Sequence, residues 1–258
     1  MYNDIQRVNM FKRISAYLFD LILTACLAVG LAALLSNALN YDSYVKQLDD
    51  AYAKYEQMYD VKLSITMSEY EAMTPEEQER YMELCDQVIE ALNQDEGAVE
   101  AYAMTVNLTL VIVGGSLLLS MGLLEFVVPL LFKNGQTLGK KIFGIGLMRK
   151  DSVKVTPFMM FVRTILGKYT LETMIPLVII AGTFVFGNGG MVGIMILATI
   201  VVLEFMMPLM TKKRTGLHDL MACTVPVDFK SQRIFDSVEA LEAYEKQLEA
   251  ERFERSNY

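Results

Sequence analysis

Four carboxylates interrupt stretches that are otherwise apolar: Asp20, Glu125, Glu172 and Glu204. A carboxylate in hydrocarbon is costly, so one found there is paired, lines a cavity, or is used to hold an ion or a proton. Asp20 lies seven residues after Arg13, Glu125 eight before Lys133, Glu172 four after Lys168 and Glu204 eight before Lys212. At ~1.5 Å per helical residue, Asp20, Glu125 and Glu204 fall roughly 10 to 12 Å inward of those basic anchors. Glu172 is the shallowest. Their chemistry is cation or proton binding between helices. The competing reading has the same acids neutralised by Arg13, Lys140 or Arg163, in a protein that transports nothing.

Two of the acids belong to a repeat. Leu124-Glu125-Phe126-Val127-Val128-Pro129-Leu130 recurs as Leu203-Glu204-Phe205-Met206-Met207-Pro208-Leu209, and each copy is followed shortly by lysine. Pro129 and Pro208 each stand four residues after a glutamate. A proline there removes a backbone donor and frees a carbonyl near the carboxylate. Parallel repeats with a site at their interface are one way in which transporters are built.

The elements that position these residues are membrane helices. The chain has 258 residues, 53% hydrophobic and 21% charged, and its apolar residues are blocked. Leu21 to Tyr41, Ala101 to Leu124 and Thr173 to Leu203 carry no charge over 21, 24 and 31 positions. Such runs match a hydrocarbon core of ~30 Å. The third is long enough for two spans and contains Gly187-Asn188-Gly189-Gly190, strong turn chemistry. Four spans are expected: Ile14 to Leu39, Ala101 to Phe132, Tyr169 to Phe186 and Met191 to Thr211. A cleaved signal peptide is set aside, because its apolar region would be about twice the usual length.

Basic residues set the orientation. Arg7, Lys12 and Arg13 precede span one, eight basic residues against Asp151 alone occupy Lys133 to Lys168, and Lys212, Lys213 and Arg214 follow span four. Asp42 to Glu100 holds 16 acids against four bases. Both termini are therefore expected in the cytoplasm of a multi-pass cell-membrane protein, with the acidic stretch outside. That stretch reads as a helical hairpin. Tyr44, Leu48, Tyr52, Tyr55 and Tyr59 form one stripe, Tyr81, Leu84, Val88 and Leu92 another, and Thr74-Pro75-Glu76-Glu77 supplies a helix start. Its charge reads first as a solvated face. Ile145 to Val155 predicts a small cytoplasmic β-hairpin around Lys150-Asp151-Ser152, with Val225 and Val227 as a possible third strand. Pro157 to Lys168 reads as an interfacial helix with Arg163 and Lys168 toward the headgroups. Lys230 to Arg255 reads as a charged helical tail for docking.

Other chemistries find little footing. Gly135 to Lys140 has three residues between its glycines where a phosphate-binding loop has four, and it follows a membrane helix instead of a strand. Its glycines allow a tight exit from span two, and Lys140 and Lys141 are expected at anionic headgroups. Asn107-Leu108-Thr109 fits a glycosylation pattern but lies within a span. Cys26, Cys85 and Cys223 are scattered, which argues against a disulfide framework. There is no metal-spaced cluster and no nucleophile elbow, so neither an enzyme, a metal nor a cofactor is expected, and an acidic chain in a membrane gives no reason to expect nucleic acid. His218, the single histidine, reads as a hydrogen-bonded structural residue beside Asp219 more readily than as a proton relay.

Three segments resemble the RDD family of bacterial membrane proteins, named for an arginine and two aspartates. They are Arg13-Ile14-Ser15-Ala16-Tyr17-Leu18-Phe19-Asp20, then Gly135-Gln136-Thr137-Leu138-Gly139-Lys140 with Gly144, then Thr215-Gly216-Leu217-His218-Asp219 with Thr224-Val225. The resemblance makes Arg13, Asp20 and Asp219 the name-giving residues and implies ion or solute transport. The acidic insert and the charged tail depart from it, and Cys223 stands where glycine is expected.

The sequence thus predicts an all-α polytopic membrane protein. Residues 1–41 form the N-terminus and first span, 42–100 the acidic insert, 101–132 span two, 133–168 the basic connection, 169–211 the span three and four hairpin, and 212–258 the C-terminal motif and tail. Its expected function is cation- or proton-coupled transport through Asp20, Glu125, Glu204 and Glu172. The alternative is a scaffold that binds a protein partner through the insert or the tail, or a second copy of itself.

Overall fold

The computed structural model describes residues 5–186, 190–211 and 215–256. It is mostly helical with one small sheet. Three described helices are long and apolar enough to cross a membrane: Met10–Ala38, Glu96–Leu131 and Pro157–Gly182. The first is α1. The second consists of α5 (Glu96–Met121), a π-helical segment (Gly122–Val127) and α6 (Val128–Leu131). The third belongs to a longer helix made of α8 (Pro157–Phe161), a π-helical segment (Val162–Met174) and α9 (Ile175–Phe186). The span expected from Tyr169 is therefore the continuation of a helix that begins at Pro157. The span expected from Met191 coincides with α10 (Gly190–Met210). The side chains of Glu204 and Pro208, residues 187–189 of the glycine turn, and the basic run Lys212 to Arg214 lie outside the described residues.

By its contacts the chain divides into two compact units, Met1–Val29 with Leu117–Tyr258, and Gly30–Ser116. In the second, α2 (Tyr41–Tyr59), α3 (Met67–Glu71) and α4 (Pro75–Gln94) make the acidic insert. The expected stripes meet: Tyr52, Tyr55 and Tyr59 of α2 and Tyr81 and Leu84 of α4 pack around buried Val61, Val88 and Leu92. The starts of α3 and α4 are each fixed by a reciprocal cap. The Thr74 hydroxyl accepts from the Glu77 amide while the Glu77 carboxylate accepts from the Thr74 amide, and Thr66 and Glu69 repeat the device. Thr74→Ala is expected to cost α4 about 1 kcal/mol, read as a roughly fivefold loss of hydrogen-exchange protection at the Glu76 to Gln78 amides.

The first unit holds the sheet. β1 (Ile145–Arg149) pairs antiparallel with β2 (Thr224–Asp228), Leu147 opposite Pro226. The sequence expected β1 to fold onto Val153 and Val155, but that arm makes only isolated bridges, Met148 to Lys154 and Val153 to Phe235. The ladder goes to the expected third strand because Val225 and Val227 bury fully against Met148, under Ile5 and Ile234. Ile234 thus packs on the sheet, and the tail helix α12 (Val238–Ser256) starts later than the expected Lys230. Two short helices lie beside the sheet: α7 (Leu138–Ile142) before β1 and α11 (Leu217–Met221) before β2. Gly135 and Gly144 bracket α7 with positive φ of 67° and 68°, a conformation that costs glycine little. Cys223 adopts φ 53° between α11 and β2, which explains why glycine suits that position.

Candidate functional site

α7 is placed by Asp20. The Thr137 hydroxyl donates to Asp20 Oδ2 at 2.5 Å and the Gly139 amide to Oδ1 at 2.8 Å. Thr137 also caps α7 by accepting from the Lys140 amide. Gly139 permits the approach, because a Cβ on it would stand 2.4 Å from the Ala16 carbonyl oxygen of α1. Gln136 fastens the same loop to the sheet by donating to the Ile145 carbonyl at 2.7 Å. Gly135, Gln136, Thr137 and Gly139 of the motif therefore each have a mechanical role.

α11 is placed by two other acids. Asp219, fully buried, accepts from Arg163 Nε at 2.9 Å, Arg13 Nη2 at 3.4 Å, the Gly216 amide at 3.2 Å and the Thr224 hydroxyl at 3.3 Å. Burial alone would raise its pKa, yet Arg163, His218 and Arg13 hold its carboxyl far below the usual range. His218 sits between two acids: Nδ1 lies 2.9 Å from Glu172 Oε1, its backbone amide donates to the same oxygen at 3.0 Å, and Nε2 lies 3.7 Å from Asp219 Oδ1. Burial pushes the His218 pKa down. The imidazole is thus neutral at pH 7, with Nδ1 the natural donor to the carboxylate.

Glu125 is buried in an ion pair with Lys168. Pro129 has no amide to offer the Glu125 carbonyl four residues back, and the fully buried Thr164 hydroxyl donates to that carbonyl at 3.0 Å. The freed carbonyl expected from the sequence is thus present and satisfied from another helix. The chain accommodates the proline with i→i+5 bonding, Val128 donating to the Leu123 carbonyl.

Arg163 and Lys168 do not face headgroups. They are 2% and 7% exposed, while Phe158 and Phe161 on the same helix are exposed. Five residues apart, they share a face because hydrogen bonds in this segment run i→i+5, as from Ile175 to Thr170. Lys140 also turns inward. Its Nζ has the Thr137 hydroxyl at 3.5 Å, and burial with the neighbouring Arg163 and Lys168 lowers its pKa to about 7, against the opposing pull of Glu125 and Asp20. Lys141 lies over the Phe132 ring, 3.7 Å from its centroid.

Two cavities open in this cluster. One of about 70 Å³ is walled by Arg13, Asp20, Lys140, Arg163, Lys168, His218 and Asp219, among others. The second, of about 190 Å³, lies between spans and is bounded by Tyr17, Thr24, Glu125, Lys168, Glu172 and Thr173 with apolar neighbours. Lys168 lines both. Arg13, Asp20, Lys140, Arg163, His218 and Asp219 are thus gathered into one site with Glu125 and Glu172 beside it. Asp20 and Glu125 each have their own partners, without a hydrogen bond to one another. Lys168, Thr137 and Thr164 carry as much of the geometry as the residues singled out from sequence, and the signal for Thr164 was the proline that empties a carbonyl. Among the described residues, no group of three or more His, Cys, Asp or Glu is disposed to hold a metal ion.

A family model described as RDD family matches residues 7–223. No curated protein and no solved structure matches the chain.

Proposed function

The chain belongs to the RDD family, and from that premise we propose that it is a proton-coupled membrane transporter working through the cluster around Lys140 and the Glu125–Lys168 pair. The observation that carries this reading is that Lys168, one half of a buried ion pair, lines both cavities. A pair in that position, made and broken by a proton, connects the two spaces or closes them.

The charges support a proton as the coupling ion. Asp20, Glu125, Glu172 and Asp219 face Arg13, Arg163 and Lys168 with His218 neutral, so one negative charge is left over. Lys140 balances it only while protonated, and its pKa of about 7 puts that change within reach of physiological pH. A small cation, the other coupling ion that the sequence allows, would have to displace bonds already made. Asp20, Asp219, Glu172 and Glu125 all accept from protein donors.

The same pairing favours a second reading, a non-transporting scaffold in which every acid is structural. Vesicles loaded with a pH-sensitive dye decide between them. Transport predicts proton movement driven by Na⁺, K⁺ or chloride gradients, with a midpoint near pH 7. Glu125→Gln is expected to lower the rate at least tenfold while the protein still inserts, and Asp20→Asn to act likewise. Lys140→Arg, locked charged, and Lys140→Met, locked neutral, should both flatten the pH profile. Wild-type vesicles with no flux under any gradient would establish the scaffold.

A further inference from the structure

The vacant hydrogen-bonding capacity at the cavity of about 70 Å³ belongs to donors. The acids on its wall are engaged: both oxygens of Asp20 accept, as do both of Asp219. Arg163, 2% exposed, uses Nε on Asp219, and its Nη1 is buried without a hydrogen-bond partner among the described residues. A buried N–H left without an acceptor is costly enough that native structures rarely retain one. Lys140 makes no ion pair among the described residues, and the Thr137 hydroxyl, at 3.5 Å, is the group within hydrogen-bond distance of its ammonium.

The wall carries Arg13, Lys140, Arg163 and Lys168 against Asp20 and Asp219. With Lys168 neutralised by its ion pair to Glu125, an excess of one positive charge faces the cavity when Lys140 is protonated. Glu172, which balances that charge in the cluster as a whole, lines the neighbouring cavity with Glu125. The space is several times the ~10–15 Å³ that one water needs. An acceptor of negative charge meets all three conditions: orphaned donor, positive wall and adequate room.

We propose that this cavity binds a small inorganic anion, a halide or an oxyanion, held between Arg163 Nη1 and Lys140 Nζ. The binding stands on the geometry alone, and only the anion's role as the co-transported species rests on the proton-coupled reading. An anion beside Lys140 favours the charged ammonium, so anion binding near pH 7 is accompanied by uptake of up to about half a proton per site. That linkage also involves the other charged groups facing Lys140: Arg13 and Asp20 of α1, Glu125 of the second span, Arg163, Lys168 and Glu172 of the third, and His218 and Asp219 of α11.

The test uses the full chain in phospholipid-free maltoside micelles, with gluconate replaced stepwise by chloride or inorganic phosphate at constant ionic strength. The unfolding midpoint is expected to rise saturably, and anion addition at pH 7 in weak buffer to take up protons. Lys140→Met should weaken the apparent affinity at least tenfold and abolish the uptake. Arg163→Lys, which keeps a partner for Asp219 but lacks the orphaned nitrogen, should weaken it similarly. No saturable shift, or equal affinity in wild type and both variants, overturns the proposal and leaves water as the occupant. A shift seen only in phosphatidylglycerol nanodiscs assigns the site to a lipid headgroup and overturns the free ion. Proton flux that persists in gluconate without anion binding sinks this proposal and spares proton coupling. Anion binding without flux does the reverse.

Discussion

Asp219→Ala is expected to cost the protein about 3–5 kcal/mol, a large share of the 5–15 kcal/mol typical of a folded domain. The cost arises less from the lost pair than from what remains. Arg163 is 2% exposed, so the substitution strands its buried guanidinium, takes one acceptor from Arg13 and also removes the acceptor for the Gly216 amide. In micelles the unfolding midpoint should fall steeply. Arg163→Met in an Asp219→Leu background should return at least half of the loss, because a buried pair replaced by apolar side chains is far cheaper than one broken on a single side. A double variant as unstable as Asp219→Ala would show that the pair does more than compensate charge. The pH dependence has a definite sign. The carboxyl of Asp219 is held below its ordinary value, so its stabilisation is complete above about pH 4 and fades only in stronger acid.

Asp20 and Asp219 hold short helices in place, one each. Asp20 anchors α7 through Thr137 and Gly139, and Asp219 gathers α11, Arg13 and Arg163. Fixing both short helices on α1 and the third span walls the cavity with Lys140 and His218. Motifs at the two ends of the chain thus become one site.

Much of this was legible before the structure. Uncharged runs mark the first two long apolar helices, the Tyr and Leu stripes give the insert, and Thr74 with Glu77 gives the start of α4, since all three signals are local. The third long apolar helix, by contrast, starts at Pro157 and carries Arg163, Lys168 and Glu172. The inward turn of Arg163 and Lys168 was not legible. At an ordinary 3.6-residue period they do not share a face, and an interfacial amphipathic helix puts its charges toward the headgroups. The i→i+5 segment aligns them, and in a bundle the polar face points inward because lipid takes the apolar side. The same bias placed Lys140 at headgroups, when the bonds from Thr137 and Gly139 to Asp20 hold its helix against α1 and turn it inward. Which strand β1 would choose was equally hidden, because the pairing with β2 spans more than seventy residues and turns on burial of Val225 and Val227.

Gly139→Ala should do more damage than any other single methyl group added to the described glycines that flank α7. The new Cβ would stand 2.4 Å from the Ala16 carbonyl oxygen and 2.9 Å from Asp20 Cγ. The first of these is backbone within α1 and has no rotamer to relax into, so α7 itself must retreat. Retreat stretches the bonds from Gly139 and Thr137 to Asp20, each worth about 1.5–3 kcal/mol to a charged acceptor, on top of ~1–3 kcal/mol for overpacking. Gly144→Ala supplies the comparison. Nothing lies within 4 Å of its Cβ, and only its φ of 68° is strained, at a cost of about 1–2 kcal/mol. The loss at Gly139 should therefore be at least twice that at Gly144 by thermal unfolding in micelles, and equal losses would refute the wedge between α7 and α1. Because Lys140 follows Gly139 directly, the same displacement should carry its ammonium out of the cavity. Whatever folded Gly139→Ala protein remains is then expected to lose the neutral-pH midpoint of proton movement, while Gly144→Ala retains it.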